Sequence, residues 1–161
     1  MKLPLTFKPI YTTDLIRVGR PNDGGYVIGK NSINNSNTLI SFGLYDDWSF
    51  EKNFKKIKQD ILIFVYDGEV KNFFWIKKLI KDTIYLFKNQ INFLSYFNNL
   101  VVYFNYKKFF NKKNIHHEKK NIVSSNLKIL DIKKENFTNL IEILKEKKIK
   151  DKFFLKIDIE G

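Results

Sequence analysis

Carboxylates collect at the ends of apolar runs in this sequence. Asp46 and Asp47 follow Thr38-Leu39-Ile40-Ser41-Phe42 and its Gly43, Asp67 follows Ile61-Leu62-Ile63-Phe64-Val65-Tyr66, and Asp158 and Glu160 lie in the last apolar segment, 153–161. Short continuous apolar runs bounded by Gly or Asp read as buried, parallel strands. In an open α/β sheet, ligands bind beyond the carboxyl ends of the strands, where the strand order reverses. Gly43 removes a Cβ where a nucleotide-like ligand would approach the backbone, and an acid ending the next strand suits two ribose hydroxyls. Neither phosphate-cradling glycine motif, Gly-x-Gly-x-x-Gly or Gly-x-x-x-x-Gly-Lys-Ser/Thr, occurs. A turn carrying Asp46 and Asp47 repels pyrophosphate and tolerates a cation, which tilts the expected cofactor from NAD or ATP toward S-adenosylmethionine, whose sulfonium is positive.

The elements that must position these residues follow from periodicity. Asp23-Gly24-Gly25 before Tyr26-Val27-Ile28 reads as a tight turn entering a strand, and 31–37 as a polar connector. Phe50, Phe54 and Ile57 recur at helical spacing, with Asp47 a suitable N-cap and Glu51 suited to the first turn. Strand, helix and strand over 38–66 make a βαβ unit. From Val70 to Lys113 the chain lacks Pro and Gly, and Phe73, Ile76, Ile80, Ile84 and Phe87 form a stripe that the lysines mostly avoid. Two helices are expected there. A strand is expected within 114–123, an amphipathic helix over 136–148 with Phe137, Leu140, Ile141 and Leu144 inward, and a final strand from Phe153.

Composition excludes several classes. The 161 residues contain no Cys, which rules out disulfide scaffolds, thiolate nucleophiles and zinc-thiolate sites. His116 and His117 are adjacent and point to opposite faces of a strand, and no metal-ligand spacing completes them, so no metal site is expected. The net charge of +12 comes almost entirely from lysine, with only Arg17 and Arg20 as arginines and no Ala. An AT-rich coding bias accounts for that set better than nucleic-acid binding, which recruits Arg for its bidentate fork. The opening Met1-Lys2-Leu3-Pro4-Leu5, followed by Lys8 and Pro9, offers no apolar signal-peptide core, and the cytoplasm is the expected compartment.

Three segments in order carry a resemblance: Arg17-Val18-Gly19-Arg20-Pro21-Asn22-Asp23-Gly24-Gly25-Tyr26-Val27, then Ser41-Phe42-Gly43-Leu44-Tyr45-Asp46-Asp47-Trp48-Ser49-Phe50-Glu51, then Leu155-Lys156-Ile157-Asp158-Ile159-Glu160-Gly161. Together they resemble the FkbM-type methyltransferases and related methyltransferase-like domains. The resemblance implies an α/β, Rossmann-like class I fold that uses S-adenosylmethionine to methylate a saccharide or other small hydroxyl acceptor. By the resemblance, Gly43, Asp46, Asp47, Ser49 and Glu51 belong to the first cofactor motif, and Asp67 is the acid that ends the second strand. Asp158 and Glu160 fall beside the methyl-transfer site, as candidates to take the acceptor's proton. The family's sheet continues beyond the Glu-Gly, so one domain over 1–161, truncated after that motif, is expected. The helical segment 71–113 is expected to be an insertion on the substrate or membrane side.

Blander roles fit the same residues. Asp46 and Asp47 suit helix caps, Asp67-Gly68 an ordinary strand-ending turn, and the alternation from Phe153 to Glu160 a half-exposed edge strand. The 71–88 helix has the pattern of a domain-packing helix with solvated lysines, and it also admits interfacial contact with an anionic membrane. A non-catalytic basic module and an inactive remnant remain the alternatives to an enzyme.

Overall fold

The computed structural model describes residues 14–21, 25–124 and 136–158. Along them run β1 (Leu15–Val18), β2 (Tyr26–Gly29), α1 (Lys30–Asn34), β3 (Thr38–Phe42), α2 (Ser49–Ile57), β4 (Leu62–Tyr66), α3 (Asn72–Phe87) and α4 (Phe93–Phe110). They are followed by β5 (Ile115–Glu118), β6 (Asn121–Ile122), β7 (Phe137–Thr138), α5 (Leu140–Glu146) and β8 (Phe153–Ile157). Four strands form a parallel sheet in the order β5-β4-β3-β8, while β1 pairs antiparallel with β2, and β6 parallel with β7. Counted in chain order, the sheet's strands lie 3-2-1-4, so the order reverses between β3 and β8. The architecture is α/β, compatible with a Rossmann-like fold.

Every residue of β3 is buried, as the central strand of a sheet covered on both faces requires. Alternation assigns the faces. Leu39, Ile63, Val65 and Ile115 share one core with Phe50 and Phe54 of α2, with Trp75 of α3 and with Tyr106 and Phe109 of α4. Ile40, Phe42, Phe64 and Tyr66 share the other with Ile143, Leu140 and Leu144 of α5. Phe54 is wholly buried, and truncating such a side chain to Ala costs about 3–5 kcal/mol.

Several expectations move. The connector 31–37 overlaps α1 (Lys30–Asn34), anchored by buried Ile33, and β1 pairs with the strand expected from Tyr26. Helix α5 starts at Leu140 because the Asn139 side chain accepts from Glu142 N (3.0 Å), which leaves Phe137 in a strand and Ile141 outward, with Ile143 as the buried residue. Both helices expected between 70 and 113 are present, but the stripe from Phe73 to Phe87 faces solvent. The opposite face of α3 meets the core, through Trp75. β8 pairs with β3 alone among the described residues and so stands at an edge.

Candidate functional site

The carboxyl ends of β3, β4, β5 and β8 enclose a cleft of about 690 Å³, lined by Gly43, Tyr45, Asp46, Asp67, Glu69 and Asp158 among others. Its form begins with two residues in the left-handed region, Gly43 (φ 82°) and Tyr45 (φ 47°). Gly43 is there because nothing larger fits. A Cβ at this position would stand 1.9 Å from the carbonyl oxygen of Asp158. Asp158 N in turn donates to Phe42 O (2.9 Å), so the β3 and β8 ends are joined where the strand order reverses.

The turn after Gly43 points two consecutive N–H groups the same way, a backbone nest that attracts an anion. Asp67 fills it. Its Oδ2 accepts from Leu44 N (2.8 Å) and Tyr45 N (2.9 Å), and its Oδ1 from Glu69 N (2.8 Å) and Val70 N (3.1 Å). Burial alone would raise this carboxyl's pKa, but the four donors outweigh burial and hold it below the ordinary carboxylate value. Asp67 thereby ties the first strand's loop to the second strand's end, with both its oxygens engaged by the backbone.

The remaining expected residues divide into lining and support. Asp46 lines the cleft, and its carboxylate pairs with Lys78 of α3. Asp47 pairs with Arg20 (3.1 Å) and accepts from Ser49 N (2.9 Å) and Ser49 Oγ (3.1 Å). The capping expected of Asp47 is thus performed from one residue further out, since α2 begins at Ser49 with Trp48 as the cap residue. The turn is therefore less anionic than its Asp-Asp sequence implies, because each carboxylate carries its own cation.

Glu51 is fully buried beneath the turn, where it accepts from Ser41 Oγ (2.5 Å) and pairs with Lys156 Nζ (3.3 Å). Lys156, itself buried, also donates to Gly43 O (3.4 Å) and lies 3.5 Å from Asp158 Oδ2. Ser49 and Glu51 do not line the cleft; they brace the loop that does. Asp158 lines it, half exposed, whereas Glu160 lies outside the described residues.

Comparison with models of protein families, with curated proteins and with solved structures finds no match for the chain.

Glu69, Lys120 and Asn121 line the cleft without having been expected there. Glu69 is exposed, and its carboxylate is free of the backbone donors that engage Asp67. The signal was present in Asp67-Gly68-Glu69: Gly68 lies so close to the Asn121 amide that a Cβ would meet its Oδ1 at 2.0 Å. That close approach brings β6 against the β4 end.

Behind the cleft, His117 accepts or donates at Nδ1 to the Tyr106 hydroxyl (2.6 Å). Burial lowers the His117 pKa despite Asp67 nearby, and burial pushes the Tyr106 hydroxyl up to about 12. His116 stacks on Phe64 on the opposite face (centroids 5.2 Å apart), and no group of metal-ligating side chains forms among the described residues.

Proposed function

We propose that the chain carries the cofactor site of a class I, FkbM-type S-adenosylmethionine-dependent methyltransferase, acting in the cytoplasm on the hydroxyl of a saccharide or other small acceptor. The observation that carries this proposal is the position of the cleft. It opens where a 3-2-1-4 parallel sheet reverses its strand order, with a carboxylate at the ends of the first, second and fourth strands. Its volume is in the range of small-molecule sites. A nest already filled by Asp67 leaves no place for a pyrophosphate, whereas exposed carboxylates favour a ligand with a diol and a cationic centre.

When bound, S-adenosylmethionine supplies a methyl group activated by its sulfonium. The chain supplies alignment. Glu69, rather than the engaged Asp67, is assigned to the ribose hydroxyls. Tyr66 and Ile122 give the cleft an apolar wall, and the Asn121 amide can hydrogen-bond a base edge. The Gly43–Asp46 turn backs the methionine portion, held in place by Asp67 from one side and by Lys156 with Glu51 from below. Asp158, half exposed beside the strand reversal, is assigned in this proposal to accept the acceptor's hydroxyl proton, a role it shares with Glu160.

Calorimetric titration of S-adenosylmethionine tests the proposal. Expected is saturable one-site binding, weakened at least about tenfold by Glu69→Gln, a loss of about 1.4 kcal/mol. Absence of binding to a cooperatively folded sample refutes it.

A further inference from the structure

Among the described residues, the hairpin of α3 and α4 is anchored to the core at its root. Trp75 near the start of α3 and Tyr106 and Phe109 near the end of α4 are buried in the core. From residue 80 to residue 101 no side chain joins either core cluster. Among the described residues the helices there hold each other, through Asn99 Nδ2 donating to Asp82 Oδ2 (3.0 Å) and the Thr83 and Tyr96 hydroxyls 3.4 Å apart. At the closed end, Phe87 is 84% exposed, Phe93 70% and Leu94 67%.

Helix α4 shows that its outer face requires cover. Val102, Tyr106 and Phe109 face the core, while Phe93, Phe97 and Phe104 occupy the opposite side and are exposed. No charged residue interrupts 93–106. A helix apolar on both sides is one that is covered on both sides, and contiguous exposed apolar surface marks an interaction site.

Charge indicates what covers it. From 71 to 113 the chain carries nine lysines and a single acid, Asp82, which is buried between the helices. Lys77, Lys81 and Lys88 run beside the exposed stripe of α3, with the Lys77 ammonium 4.9 Å from the centre of the Phe73 ring. Two copies joined through this face would bring like-charged hairpins together with no acid to offset them. An anionic lipid surface meets both demands, since Phe and Leu enter the boundary between headgroups and acyl chains while flanking lysines reach the phosphates. Among the described residues no helix is long and apolar enough to cross a membrane, which limits the contact to the interface.

We propose that the closed end of the α3–α4 hairpin docks the protein peripherally on an anionic phospholipid membrane.

Flotation of the full chain with vesicles tests this, comparing phosphatidylcholine alone with phosphatidylcholine mixed with phosphatidylglycerol. Expected is co-flotation with the mixed vesicles, at least about tenfold weaker with phosphatidylcholine alone and weakened by salt. The Phe87→Ser/Phe93→Ser double variant should lose at least about tenfold in partitioning. It should keep the parent's melting temperature, because neither residue touches the core. Ile141→Ser, at an exposed apolar position on α5, should partition as the parent does. The proposal is overturned if mixed vesicles do not bind the chain, or if the double variant binds them as the parent does. It is equally overturned if the parent is a dimer in sedimentation equilibrium that the double variant dissociates, since the covering surface is then a second copy.

Discussion

Replacing Asp67 by Asn separates two roles that one carboxylate could have. In the structure, each of its oxygens accepts two backbone N–H groups, one partly buried and one exposed in each pair. An Asn side chain keeps one carbonyl oxygen and turns its amide toward the other pair, where donor meets donor. The exposed donor of that pair finds water at small cost. The partly buried one loses a bond to a charged acceptor, worth about 1.5–3 kcal/mol, and the retained pair weakens as its acceptor becomes neutral. A loss of about 2–3 kcal/mol follows, which for a chain of this size lowers Tm by roughly 5–10 °C. The pH dependence has a definite sign. The folded carboxyl is held below the ordinary value, so its stabilisation is complete above the unfolded value of about 3.9 and drains away as pH falls through the lower folded value. Urea unfolding followed by the fluorescence of buried Trp48 and Trp75 reads both effects. Asp67→Asn should be destabilised at neutral pH and should lose part of the acid-side decline, whereas Glu69→Gln should keep the parent's stability and lose ligand affinity. An Asp67→Asn chain as stable as the parent, with the same acid slope but no affinity for S-adenosylmethionine, refutes the clamp and returns the ribose contact to Asp67.

Two further substitutions probe what lies under the turn and behind it. Lys156→Met leaves the wholly buried Glu51 carboxylate with the Ser41 hydroxyl as its remaining donor, and should cost about 3–5 kcal/mol in urea unfolding. Adding Glu51→Leu should restore most of that loss, and equal instability of the single and double variants would show that the two charges are not coupled. For His117, burial lowers the folded pKa beneath the unfolded value of about 6.5, so the unfolded chain binds the extra proton first and stability declines as pH falls below that value. In His117→Gln the decline between about pH 7 and 5 should be shallower, and an unchanged slope would assign it to other groups.

What the sequence made legible was local. β3 and β4 announce themselves as short apolar runs closed by Gly43 and Asp67, and the helices between 70 and 113 by their spacing. The pairing of Lys156 with Glu51 was not legible, because the strand's own alternation places Lys156 with Asp158 and Glu160 on a polar face, and its partner is 105 residues away. The engagement of Asp67, with Glu69 left exposed, was hidden for a related reason: which of two neighbouring acids is taken up depends on where the backbone N–H groups of Leu44 and Tyr45 point.

The α3 stripe shows the limit most sharply. Helical periodicity states that Phe73, Ile76, Ile80, Ile84 and Phe87 share a face, and it is silent on which way that face turns. Trp75, on the opposite side, supplies the contact with the sheet because its indole packs on Trp48 and Tyr106 at the root of the hairpin. Aromatic stacking at one end thus fixes the rotation of the whole helix. The regular stripe, the stronger signal in sequence, is then carried outward among lysines. A pattern that reads as core therefore becomes surface once one large aromatic residue binds the other side, and a helix so turned has its apolar face available for a partner outside the fold.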